Sequence, residues 1–180
     1  KELASYFLPT LVGHVAPTRP QNYQWNVKVF HTSPLLDMLK LPVTLLEDLE
    51  ISGACNTAAG TASILMDVPY LQQGRDKLIR NTHLALDVDT ASNNCTLRVS
   101  SLLPNKKGDI GVCVEANAAN DRINTDLAWK FDRPNAYHGS LSLTGTFGDK
   151  GPDGRPVIVR VNPSQFAVND TIWRVAPALM

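Results

Sequence analysis

The chain has 180 residues, 43% of them hydrophobic, and its seventeen basic and seventeen acidic side chains cancel. Balanced charge without a basic stripe excludes the electrostatic footprint of a nucleic-acid binder. No run approaches the ~18 consecutive apolar residues of a membrane helix. Residues 1–23, punctuated by Pro9, Pro17 and Pro20, read as an irregular lead-in with a short helix over residues 2–8. Residues 24–180 read as one amphipathic β-sheet domain.

The first strand is expected over residues 24–30, with Trp25, Val27 and Val29 in phase. Ser33-Pro34 then places a cap and a first-turn proline before a helix over residues 33–40, which Pro42 stops. Next, Leu49, Ile51, Gly53 and Cys55 alternate with polar or small residues, Gly60 turns the chain, and Ala62, Ile64, Met66 and Val68 alternate again. Residues 69–75 read as a loop. Strands are expected over 82–90, 95–103, 109–118, 122–132, 139–147, 155–161 and 171–175, with 166–168 a short partner. Period-two alternation of this kind means a sheet with one polar and one apolar face. The connectors are short and rich in Gly, Asn, Asp and Pro, too short for βαβ crossovers, so the strands form an antiparallel meander.

Chemistry-bearing constellations are lacking. There is no GxSxG elbow and no HExxH, and His14, His31, His83 and His138 have no ligand spacing. Asp87 and Asp89 leave the same face of their strand, a geometry that two carboxylates alone do not turn into a calcium site. The Gly-rich residues 148–154 lead into a strand, so no helix N-terminus is present to cradle a phosphate. Neither a catalytic residue, a cofactor nor a metal site is expected. Of the three cysteines, Cys55 and Cys95 fall in phase with apolar residues and Cys113 out of phase. They read as free thiols, the first two as small buried hydrophobes.

The apolar face must be covered. Leaving ten strands' worth of aliphatic side chains in water forgoes tens of kcal/mol at roughly 25 cal/mol per Å². One solution is a closed β-sandwich, with a ligand site on the loops of a secreted or surface protein. The other is an open sheet, curled into a U-shaped groove that holds an apolar ligand. Small residues at Gly53, Ala116, Ala118, Gly139 and Gly145 favour a trough.

Several segments carry a family resemblance. They are Tyr6-Phe7-Leu8-Pro9, Pro34-Leu35-Leu36, Leu49-Glu50-Ile51-Ser52-Gly53, Pro69-Tyr70, Leu84-Ala85-Leu86-Asp87-Val88-Asp89, Asn162-Pro163-Ser164 and Val168-Asn169-Asp170-Thr171-Ile172-Trp173. In this succession the chain resembles the TamB family of translocation and assembly module subunits, of the Bacteroidetes type and distantly related to AsmA. The chain begins Lys1-Glu2-Leu3, without an initiator Met, and ends on an uncapped Met180, which fits a segment of a longer protein. The resemblance implies a non-enzymatic envelope-biogenesis protein, anchored in the inner membrane through other parts and crossing the periplasm. Its apolar β-groove would conduct phospholipid or assist outer-membrane protein assembly beside a β-barrel partner, with no nucleic acid involved. The residues expected to line the groove are Ile64, Met66, Leu84, Leu86, Leu97, Val99, Val112, Val114, Leu127, Trp129, Leu141 and Leu143.

Overall fold

A computed structural model describes residues 2–12, 19–30, 44–45, 47–73, 77–106, 108–132, 137–149, 156–168 and 171–179. Two short helices come first, α1 (Glu2–Phe7) and α2 (Pro9–Val12). Thirteen strands follow: β1 (Asn22–Val29), β2 (Thr44–Leu45), β3 (Leu49–Asn56), β4 (Thr61–Gln73), β5 (Lys77–Asp89), β6 (Asn94–Asn105) and β7 (Gly108–Ala119), then β8 (Arg122–Phe131), β9 (His138–Phe147), β10 (Val157–Val161), β11 (Ser164–Val168), β12 (Thr171–Val175) and β13 (Ala178–Leu179). All belong to one antiparallel sheet, ordered β1-β3-β4-β5-β6-β7-β8-β9-β10-β13. The β11–β12 hairpin hangs from the start of β9, and β2 from the end of β4.

The meander follows from its turns. Asn120 and Asp121 both take positive φ, 51° and 56°, the pair of left-handed residues that a two-residue hairpin between Ala119 and Arg122 needs. Gly60 turns β3 into β4 at φ 70°, where a Cβ would also lie 1.9 Å from the Thr90 hydroxyl, so only glycine fits.

The sheet is unclosed: its path runs from β1 to β13, and these two strands do not pair. The closed sandwich is thereby overturned, since the described strands form no second sheet to lie over the first. Compactness is correspondingly low. A compact monomer of 19.7 kDa exposes about 8,600 Å², whereas this chain exposes 12346 Å². Among the described residues the buried apolar side chains are Phe7, Val29, Val68, Phe131, Val161 and Ala167. Val29 and Val68 form a small cluster with Leu49, Met66 and Leu71 at one end of the sheet.

The loop expected over residues 69–75 is a correction: β4 runs unbroken through Pro69 to Gln73. The ladder accommodates the proline where it is already distorted. Pairing passes from Val68↔Thr82 to Tyr70↔Arg80, and β5 bulges at the same level against β6, with Asn81 at φ 49°. A bulge is one of the few places where a strand tolerates proline. Beyond it the phase of β5 reverses, so Arg80 pairs with Asp109 on the polar side. The short helix expected over residues 2–8 is present as α1, and a second, unexpected helix, α2, follows it from Pro9. The helix expected over residues 33–40 lies outside the described residues.

Candidate functional site

The candidate site is the apolar face, and strand register assembles it. One row of direct cross-strand partners runs Val27, Ile51, Met66, Leu84, Val99, Val114, Leu127 and Leu141. It crosses eight strands, ~34 Å at the usual strand spacing. The adjacent row runs Trp25, Gly53, Ile64, Leu86, Leu97, Ala116, Thr125, Leu143 and Val161. Val112 and Trp129 pair in a third row that continues through Gly139 to Phe166 and Trp173. All twelve expected positions therefore share one face. Each is half-buried, screened by its lateral neighbours and not by a second layer.

The alternation also carries Val27, Ile51, Ile123 and Phe166 onto this face, beyond the twelve residues expected to line the groove. One feature was not foreseeable. The trough expected at the small residues is filled at two of them. Trp25 lies across Gly53, where a Cβ would come within 2.5 Å of the ring. Trp129 lies across Gly139 in the same way, with Phe166 pressing from the far side, its Cβ also 2.5 Å from where a Cβ would stand. In both cases an aromatic residue covers the glycine directly opposite it, supplying apolar surface that the glycine lacks. Phe166 in turn stacks on Trp173, with centroids 6.3 Å apart and planes 7° from parallel. At Gly145 the space stays open, with only the Ile123 carbonyl oxygen at 3.9 Å.

Two polar features bound the stripe. Thr82 and Ser101 share a 2.8 Å hydroxyl–hydroxyl hydrogen bond beside the bulge, so the third row is polar at that point. At the opposite end of the strands the helical lead-in is tied to the β7–β8 turn. Thr10 donates from its backbone N–H (2.8 Å) and its hydroxyl (2.6 Å) to the Asp121 carboxylate, and the Asp121 N–H donates to the Phe7 carbonyl at 2.9 Å. Phe7, 1% exposed, is the most deeply buried large side chain described.

The polar face carries the charge. Arg98 donates to Glu115 through Nε (3.0 Å) and Nη2 (3.4 Å), which holds the carboxylate below its usual range and the guanidinium above. Asp89 accepts from the Ser92 hydroxyl and the Ala91 N–H, which lowers its pKa and commits it to the β5–β6 turn. His83 pairs with Asp67 in the neighbouring strand. All three cysteines are free, Cys113 exposed and the others half-buried. Among the described residues no group of His, Cys, Asp or Glu is placed to hold a metal ion, and no helix is long and apolar enough to cross a membrane. Comparison with protein-family models, with curated proteins and with solved structures finds no match to this chain.

Proposed function

We propose that this chain is a non-enzymatic, acyl-chain-binding β-groove, a segment of an envelope-biogenesis protein. In this reading it passes phospholipid along the periplasm within a protein anchored in the inner membrane and working beside an outer-membrane β-barrel partner. One observation carries the proposal. The aliphatic rows are continuous across eight strands, yet none of the twelve residues is buried. Soluble monomers rarely leave more than a few hundred Å² of contiguous apolar surface without an occupant. An acyl chain suits this face because it needs no directional partner, and each strand offers a near-equivalent aliphatic step about 4.8 Å from the last. Near-equivalent steps favour movement along the sheet over capture at one point. The family resemblance of residues 49–53, 84–89 and 168–173 points to the same cargo.

Native mass spectrometry of the chain purified without detergent, with lipid analysis of an organic extract, tests the reading. Bound diacyl lipid, released by delipidation and restored by added phospholipid, is the expected result. A lipid-free monomer that stays lipid-free when phospholipid is added overturns it.

A further inference from the structure

The opposite, polar face contains a hollow of about 570 Å³, within the size range of small-molecule sites. Two adjacent cross-strand rows form it, one from Asn22 on β1 to Asn94 on β6 and one from Gln24 to Thr96. Its middle is low because Ala54 and Ser63 stand there between longer side chains. Thr96, 9% exposed, sets its hydroxyl 2.7 Å from the Asn117 Oδ1 and 2.8 Å from the Asn94 amide, which holds that amide in place beside the hollow. Among the described residues the side chains of Gln24, Ser63 and Asp87 make no hydrogen bond. Ionised Asp87 offers two acceptor oxygens, the amides offer donors and acceptors, and Ser63 offers both.

Charge narrows the ligand class. Arg98 is already engaged by Glu115, so Asp87 and Asp89 leave the hollow with no free cation to receive a phosphate or sulfate. A calcium ion seeks six to eight oxygens, whereas Asp89 is spent on its turn and Asp87 stands alone. The geometry points to a neutral polyhydroxylated ligand, a short glycan, seated on the polar face with vicinal hydroxyls donating to Asp87 and exchanging hydrogen bonds with the amides of Gln24 and Asn94. Each sugar hydroxyl both donates and accepts, which matches a site of mixed donors and acceptors, and the Asp87 carboxylate adds a charged acceptor for it.

Amide chemical-shift titration of the whole chain with maltotriose, cellotriose and triacetylchitotriose at millimolar concentration tests this. At least one sugar is expected to move resonances clustered on Gln24, Ser63, Asp87 and Asn94. Asp87→Ala should weaken that response by about tenfold, the effect of one charge-assisted hydrogen bond. Ala54→Trp, which fills the hollow from an outward position, should abolish it. Ser63→Ala serves where the larger substitution perturbs the strand, and should weaken the response. Leu86→Glu, on the opposite face, should leave the sugar response unchanged, so this site and the acyl-chain face succeed or fail separately. The inference is overturned if none of the three sugars moves these resonances, if the Asp87 and Ala54 variants respond like the parent, or if calcium chloride alone reproduces the shifts.

Discussion

Gly139 shows how much a single position decides on this sheet. It sits between Trp129 and Phe166, and an added methyl would meet not only the indole but also the Phe166 Cα at 2.9 Å, a backbone atom that cannot swing away. Gly139→Ala should therefore cost ~1–3 kcal/mol, the usual penalty of overpacking, read as a lower urea midpoint at unchanged slope. Gly53→Ala meets only the Trp25 ring, carried by the edge strand β1, and should cost clearly less. Equal losses at the two sites would contradict the packing described. The cysteines differ in the same local way. Burial raises the Cys95 thiol pKa and shields it, whereas Cys113 is exposed on the polar face. Because the thiolate is the reactive form, timed iodoacetamide labelling followed by peptide mass spectrometry should find Cys113 modified first and Cys95 after it. Full labelling in denaturant should reach all three.

At the scale of elements, the strands were readable because alternation is local. Leu84, Leu86 and Val88 mark β5, and Leu127, Trp129 and Phe131 mark β8, whatever lies beside them. What was not readable depended on neighbours. Pro69 looks like a break until the bulge at Asn81 is seen at the same level. Gly53 and Gly139 look like gaps until an indole is seen to lie across each. The polar hollow exists only once register sets Asn22 and Asn94 in one row, four strand pairings apart. The helical lead-in is a further case, since helices of six and four residues do not persist alone in water. Their attachment rests on Asp121, whose carboxylate takes both Thr10 hydrogen bonds. Asp121→Gly keeps the positive φ that the turn requires and removes only the acceptor. The expected result is a local loss of ~1–2 kcal/mol, seen as faster amide exchange at Leu8, Leu11 and Val12 with strand amides unaffected. Faster exchange throughout the sheet would mean that the helices hold the whole fold and do not simply dock on it.

For the molecule as a whole, the central fact is a sheet with one apolar and one polar face and, among the described residues, little that counts as a core. In a closed sandwich, a carboxylate at Leu86 or Leu127 would be sealed from water and would cost several kcal/mol. Here both positions sit in the middle of the apolar rows yet are only partly buried, with Leu86 flanked by Ile64 and Leu97 and Leu127 by Val114 and Leu141. Water can reach a charge placed there, so Leu86→Glu and Leu127→Asp should retain the strand circular dichroism and lose little stability. Acyl binding responds differently. A hydrated carboxylate interrupts the row for a hydrocarbon chain that must cross it, because the chain can offer the charge no partner. If the face binds acyl chains as proposed, each variant should lose the phospholipid recovered by extraction while staying folded. Thr125 and Thr82, already polar on the same face, provide the control: Thr125→Ser should change neither property. Unfolding of both charge variants would mean that the face is packed against something in solution. Retention of lipid by both would mean that the acyl chains bind elsewhere.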